Sequence, residues 1–428
     1  MAIDPLDIQK IKDATDLIEL IGKTVALKKA GIRWVGLCPF HAERTPSFTV
    51  TPRDGFWHCF GCRKSGDAIT WLIEVEHMAF PDAVQELADR AGIAVTRTSR
   101  PKKYESLIEA VKLASEWYSA RLMSADDAGT ARGYVRSRGM GREAIERFGL
   151  GWSPADGTAL WDALGSDIGE SDFIAAGIGY RAHSGQMRDR FAGRLMFPIH
   201  DQSGNPVAFA ARILDESPSE PKYTNTKTTP IYRKSEILYN LHNAKQSTVR
   251  LDKIVIVEGY TDVISLDQHG HPNVVATCGT AVTDHHINSL TRYTRNIVLA
   301  MDGDSAGTKA AADTINRIDT ASINLAIADL AGCDPADIAM ANPDRLVHLL
   351  TDAANSIDWS LERIAALTDF ASPQQRVANS TKAAEIIAAQ PHPEIRRQYA
   401  QQIAERYQVS LDHITNTINH TRKRKTRP

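Results

Sequence analysis

Cys38 and His41 stand three positions apart, Cys59 and Cys62 stand three apart, and 17 residues separate the pairs in LCPFHAERTPSFTVTPRDGFWHCFGC. Each pair can bite one face of a tetrahedral ion, and two thiolate-rich pairs at this spacing are a zinc pattern. Four protein ligands leave no open coordination position, so the ion has a structural task and no hydrolytic one. His58, beside Cys59, is the other nitrogen in reach, and it breaks the two-pair spacing. The odd total of five cysteines does not suggest disulfides, and Cys278 and Cys333 are expected to be small buried filler.

Between the pairs, Ser47 to Val50 and Gly55 to His58 read as a short hairpin carrying Phe48, Phe56 and Trp57. Arg33, Trp34, Arg44 and Lys64 are close in sequence. Aromatics interleaved with cations suit single-stranded nucleic acid, by stacking on bases and pairing with phosphates. Phe48 and Phe56 are expected to turn inward and form the hairpin's own core.

The 428 residues, 43% hydrophobic, are enough for two or three domains. The expected fold class is α/β and α+β in four parts. Residues 1–97 form a zinc ribbon domain, 98–105 a polar linker, 106–250 a mixed basic subdomain, 251–343 a parallel α/β sheet, and 344–428 a helical subdomain with a basic tail. The linker is expected from Thr96 to Lys103, a stretch with no apolar period to bury. No run approaches the roughly 18 apolar residues of a membrane span, and MAIDPLDIQK has no apolar secretory core. A cytoplasmic location is expected.

The net charge of −2 hides a division. From Ile178 to Arg250 there are 11 Lys and Arg against 6 Asp and Glu; from Leu251 to Arg345 there are 6 against 13. A basic segment therefore precedes an acidic one. In the acidic segment, apolar runs alternate with helical patterns: strands over 253–257, 273–277, 296–300 and 323–330, helices over 260–268, 283–293 and 305–318. That alternation argues for a parallel sheet whose polar ligands gather at the carboxyl ends of the strands.

Carboxylates occupy those ends. Glu258 follows the first strand in VEGYTD, Asp302 and Asp304 follow the third in MDGDSAG, and Asp334 follows the fourth in AGCDPAD. Asp262 lies four residues after Glu258, in the first turn of the next helix. Two like charges one residue apart need a shared counter-ion, and hard oxygen ligands of this kind suit Mg²⁺ or Mn²⁺. Capping of the helix near Ser305 would explain one of these aspartates, but not Glu258 at the matching strand end.

VEGYTD, MDGDSAG and GCDPAD resemble the three motifs of the Toprim fold, shared by bacterial primases, topoisomerases and some nucleases. CPFHAERTPSF with CFGCRKSGD resembles the zinc-binding domain of bacterial DnaG-type primases. YVRSRGMGREAIERFGLGWSP, DRFAGRLMFPIHDQSGNPVAFAAR, PKYTNTKTTPIYRK and LYNL are similar to that family's polymerase domain. The resemblance implies zinc on Cys38, His41, Cys59 and Cys62 and a catalytic metal on Glu258, Asp302 and Asp304, with Asp262 and Asp334 beside them. It further implies a template and nucleotide groove lined by Arg190, Arg194, Arg212, Lys222, Asn225 and Lys234. The family's third motif is Asp-Pro-Asp; here Asp334-Pro335-Ala336-Asp337 moves the second carboxylate by one residue.

The expected activity is that of a DNA primase, making short RNA primers on single-stranded DNA from ribonucleoside triphosphates. The alternatives are another Toprim enzyme or a non-catalytic single-strand-binding zinc protein. A monomer is expected, without a membrane partner. A replicative helicase is a possible partner, but Ser372 to Lys425 is expected only to close the polymerase part, leaving no helicase-docking domain. Thr421 to Pro428, with five cations in eight residues, is expected as a solvated tail or a phosphate-seeking arm.

Overall fold

The computed structural model describes residues 2–3, 5–62, 64–76, 78, 80–94, 97–98, 102–215, 220–318 and 323–425. The chain divides into two units, Met1–Glu105 and Ser106–Pro428.

The first unit is built on a five-stranded antiparallel sheet of β1 (Lys28–Ala30), β2 (Arg33–Gly36), β3 (Phe48–Thr51), β4 (Phe56–Cys59) and β5 (Ser65–Gly66), in sequence order. Phe48 and Trp57 are fully buried and stack at 5.6 Å between ring centroids, with Trp71 edge-on to Trp57 at 5.6 Å. The Trp57 indole N–H donates to the Asp67 carbonyl at 3.0 Å, so the ring is buried without stranding its donor. Phe56, expected in this core, is instead 42% exposed. Successive strand residues face opposite sides, and Trp57 and Cys59 take the inner side, which sends Phe56 and Phe60 outward.

The second unit begins with the helix α1 (Lys102–Ser124), which starts inside the stretch expected as linker; residues 99–101 of that stretch lie outside the described residues. A four-stranded antiparallel sheet follows: β6 (Gly151–Ser153), β7 (Arg194–His200), β8 (Pro206–Ile213) and β9 (Tyr223–Asn225), ordered β9-β8-β7-β6. Six of the seven residues of β7 are buried, as befits a central strand covered on both faces.

The sheet that carries the acidic motifs has six strands: β10 (Leu238–Tyr239), β11 (Ile254–Val257), β12 (Val274–Thr277), β13 (Asn296–Leu299), β14 (Asn324–Ile327) and β15 (Ala354–Asn355). Their order is β10-β12-β11-β13-β14-β15, parallel through the four central strands and antiparallel at both edges. The IVIV and VVAT runs, buried at every position and apolar but for Thr277, fit strands buried on both faces. The connecting helices are α2 (Leu241–Leu251), α3 (Tyr260–Gln268), α4 (Asp284–Leu290) and α5 (Ser305–Arg317), then α6 (Pro335–Ala341) and α7 (Pro343–Thr351). A bundle of α8 (Ser356–Ala366), α9 (Pro373–Ile387), α10 (Pro393–Tyr407) and α11 (Leu411–Lys425) completes the chain, around a core that includes Ala384, Ile387, Ile403, Tyr407 and Ile414. Of the expected basic tail, residues 421–425 form the end of α11 and residues 426–428 lie outside the described residues. Among those described, no helix is long and apolar enough to cross a membrane.

Candidate active site and metal centre

The cysteine and histidine ligand atoms of Cys38, His41, Cys59 and Cys62 all lie within 4.8 Å of one another. The strands explain the convergence: β4 delivers Cys59, a tight turn brings back Cys62, and β3 pairs with β4 to bring the loop holding Cys38 and His41 alongside. Cys38 Sγ is 3.7 Å from Cys62 Sγ, and His41 Nδ1 is 3.8 Å from Cys59 Sγ. Without an ion among them, burial pushes the Cys38 thiol up to about 12. Cys59 is buried as well, but hydrogen bonds from Ser47 Oγ and the Cys62 amide outweigh that and pull it down to about 7.

Glu43, which no spacing argument singled out, ties this knuckle together. Its Oε1 accepts from the Cys38 amide at 2.7 Å and the Ser47 amide at 3.1 Å; its Oε2 takes Ser47 Oγ at 2.5 Å and faces His41 Nε2 at 3.2 Å. Pairing at Nε2 leaves Nδ1, the nitrogen beside Cys59, free to hold metal. The sequence signal was available in HAER, an acid two residues after a candidate ligand.

The acidic groups sit where the parallel sheet places them. The Ala300 amide donates to the Ile256 carbonyl at 2.9 Å, and Glu258 and Asp302 each follow two residues later, just past the ends of β11 and β13. Asp304 caps α5, its Oδ1 accepting from the Ala306 and Gly307 amides at 2.8 Å each. Asp334 caps α6 in the same manner, through Oδ1 to the Ala336 amide at 2.7 Å. In both, the second carboxylate oxygen is left out of the cap. Asp262 is 4% exposed and accepts from the Gly259 amide at 2.8 Å.

Two glycines make this approach possible. A Cβ on Gly307 would lie 2.8 Å from Glu258 Oε1, and one on Gly303 would lie 2.8 Å from the Cys333 amide nitrogen. MDGDSAG therefore needs its glycines for contact, since the loop after β13 packs its backbone directly on the loop after β14.

Glu258 Oε1 and Asp302 Oδ1 are buried and have no hydrogen-bond partner. An unpaired buried carboxylate oxygen costs free energy, and the groups respond by holding protons more tightly. Burial first and then Asp302 raise Glu258; burial and then Asp334 raise Asp302, with Lys222 pulling the other way. Burial, Asp334 and Asp302 push Asp262 up to about 7. The carboxylates thus share one field. Their donor chemistry fits a hard divalent cation, which relieves the repulsion, although among the described residues they do not close into a tight ligand sphere as the zinc set does.

Asp337 stands apart. Its side chain is 62% exposed and lies 3.8 Å from Arg138, while Ala336, in the motif's second position, is 5% exposed.

A cavity of about 620 Å³ opens beside Glu258, lined among others by Tyr223, Asn225, Lys227 and Lys234. Lys227 was not foreseen. Asn225 donates to the Cys278 carbonyl at 2.7 Å, and its Oδ1 has no partner. Lys222 and Lys234 are exposed and unpaired among the described residues. Arg190 is half-buried. Arg194 is buried against Glu220, and Arg212 lies between the rings of Tyr134 and Tyr223, at 4.5 and 5.2 Å from their centroids. These last two arginines are held by the protein itself.

Four family matches cover the chain in order. They are the CHC2 zinc finger over residues 3–103, the N-terminal domain of the DNA primase catalytic core over 117–245, a Toprim-like domain over 255–339, and the DnaB-helicase binding domain of primase over 357–412. The DNA primase of Streptomyces coelicolor is 35% identical over 94% of this chain and 65% of its own length. That of Mycolicibacterium smegmatis is 32% identical over 97% of this chain and 68% of its own. The chain belongs to the DNA primase family.

Among solved structures, the Aquifex aeolicus primase (zinc binding and RNA polymerase domains) matches at a TM-score of 0.62 and 27% identity, over 95% of this chain and 98% of that one. A DnaG primase catalytic domain bound to single-stranded DNA matches at 0.64 and 28%, over 73% and 99%. The chain spans 65% of the Streptomyces primase and 47% of the Pseudomonas aeruginosa one. With a CHC2 match over the clustered ligands, the metal of the first unit is zinc.

One expectation is overturned. The helicase-docking domain expected to be missing is present, since α8 to α10 and the start of α11 match it. Sequence periodicity shows these helices only as packing that closes the polymerase part, because it is the same whether or not an outer face meets a partner.

Proposed function

We propose that this chain is an RNA polymerase that synthesises short RNA primers on single-stranded DNA. The observation that carries this reading is the pair of buried, partnerless oxygens, Glu258 Oε1 and Asp302 Oδ1, of which Glu258 lines a cavity that also presents Lys227 and Lys234. Carboxylates for a metal and ammonium groups for phosphates are what nucleotidyl transfer requires side by side.

Glu258, Asp302 and the uncapped oxygen of Asp304 are the groups to hold Mg²⁺ or Mn²⁺. Such an ion, when bound, neutralises triphosphate charge and makes the attacking 3′-hydroxyl more acidic. Lys222, Lys227 and Lys234 orient the triphosphate and template phosphates. Asp334, which raises the affinity of both Asp262 and Asp302 for protons, sharpens the site's demand for a cation. Asp262, with its pKa near 7, is poised to exchange a proton close to neutrality. The solved relative with single-stranded DNA bound supports the choice of template.

In the zinc unit, the outward face of β4 offers Phe56 and His58, and Phe60 follows in the turn after it, with Phe60 63% exposed and His58 edge-on to it at 4.6 Å. Alternate strand residues are about 6.6 Å apart, a spacing at which exposed rings can stack successive bases of an extended strand. Residues 357–412 dock a DnaB-type helicase.

Incubation of the purified chain with a single-stranded DNA template, labelled ribonucleoside triphosphates and Mg²⁺ tests the reading. Short RNA products that disappear with EDTA are expected. Template binding without incorporation, at saturating nucleotide and metal, would turn the chain into a binding protein.

A further inference from the structure

A second cavity, about 690 Å³, lies one strand over from the carboxylate site, where the end of β14 meets α7, β15 and the first turns of α8. Its apolar floor includes Ile327, Leu349 and Trp359, and its lining has five carboxylates against one guanidinium, Arg345. Some of the carboxylates are engaged: Asp358 accepts from the Tyr399 hydroxyl at 2.7 Å, and Glu362 is paired with Arg406. Asp344 and Asp352 are exposed and have no ion pair among the described residues.

We infer that this groove receives a Lys/Arg-bearing segment of the replicative helicase. The inference rests on the helicase-docking reading above and says where on the chain the contact is made. Three observations lead to it. Acidic walls repel template, primer and nucleotide alike, so no phosphate-bearing ligand of the polymerase reaction belongs here. An apolar floor beneath free carboxylates fits a side chain with an aliphatic stem and a cationic head, which buries the one and pairs the other, while Arg363 already covers one face of the Trp359 indole at 4.8 Å. The wall formed by Asp358, Trp359 and Glu362 belongs to the segment that matches the DnaB-helicase binding domain. The groove therefore joins that segment to the edge of the Toprim sheet, so a helicase held there sits against the catalytic unit.

The test is binding of the full chain to a purified DnaB-type helicase from the same cells, by interferometry at several salt concentrations. Three proteins are compared: wild type, an Asp344→Lys/Asp352→Lys double variant, and Trp359→Ala. Primer synthesis without helicase reports that each variant is folded, because none of these residues touches the nucleotide site. The charge reversal is expected to weaken binding at least about tenfold and to flatten its salt dependence, while Trp359→Ala weakens it with the salt dependence kept. If wild type binds and both variants bind equally well with the same salt dependence, the groove is not the contact and the docking reading stands. If wild type itself fails to bind at low salt, the docking reading falls and takes the groove with it.

Discussion

The molecule contains two ligand-rich clusters built on opposite principles, one for zinc and one whose carboxylates we propose for a divalent cation. In the zinc knuckle all four ligand atoms lie within 4.8 Å, and Glu43 and Ser47 satisfy the groups around them. On the Toprim edge the carboxylates are spread over three loops, and two oxygens are left unpaired in a buried setting. The closed set has nothing left to offer a substrate and holds a fold together. The open set is uncomfortable by itself, and in the proposed function that discomfort is what a cation and its phosphates relieve. Variants should therefore separate the two cleanly, with loss of fold on one side and loss of chemistry on the other.

The largest effect is expected from Cys59→Ser. Zinc binding to such a set is worth on the order of 10 kcal/mol, which exceeds the stability of a small domain. The first unit should lose its one equivalent of zinc by elemental analysis and become protease-sensitive, while Ser106–Pro428 keeps its melting transition. Zinc retained by the variant would break the comparison at its root.

Asp302→Asn comes next and should do the reverse. Primer synthesis is expected to fall about a thousandfold or more, and the second unit should become no less stable, since the change removes a buried charge in a repulsive cluster. The same cluster sets a pH dependence. The Asp262 carboxyl is raised from its usual 3.8 to about 7, so the folded protein binds more protons than the unfolded chain between those values. Its contribution to stability is present below about pH 4 and lost as pH rises through 7. Added Mg²⁺ should accordingly raise the melting temperature of the second unit more at pH 8 than at pH 6. An equal rise at both would mean that the ion does not compete with these protons.

Glu43→Gln sharpens the zinc side. It keeps the shape and the acceptor for the Cys38 amide but removes the charge facing His41 Nε2. Zinc affinity, measured by chelator competition, should drop about 10- to 100-fold, with the unit still folded at saturating zinc. Affinity equal to wild type would show that the imidazole is oriented by packing alone.

How much of this was legible beforehand follows the same division. Zinc spacing and strand-end carboxylates are local patterns, and they stand where the chain predicted them. The helix Tyr260–Gln268 agrees with its expected limits to the residue, because Gly270, at a φ of +90°, stops it. The helix expected over 283–293 ends at Leu290, where Thr291 to Tyr293 turn toward β13. The two-residue edge strands β10 and β15 carry no period that a sequence could show. What stayed hidden was tertiary pairing. Nothing in the sequence says that Glu220 claims Arg194, that two tyrosines claim Arg212, or that Lys227 reaches the cavity.

That pairing supplies the smallest effect and the finest test. If a cation serves phosphate only when the protein has not already claimed it, Lys222→Ala and Lys234→Ala should each reduce the salt dependence of single-strand or nucleotide binding. The expected loss is roughly 0.7 in the slope of log affinity against log salt for each single-strand contact. Arg212→Ala should leave that slope as it is and instead lower the melting temperature, because it empties the space between Tyr134 and Tyr223 and removes the hydrogen bond to the Tyr223 hydroxyl at 3.0 Å. Arg212→Lys distinguishes charge from packing. A lysine keeps the positive charge but lacks the planar guanidinium that lies against both rings, so it should stay destabilised with an unaltered slope. Should Arg212→Ala flatten the slope as much as the lysine variants do, the guanidinium serves phosphate despite its aromatic cage, and burial is no guide to which cations this groove uses.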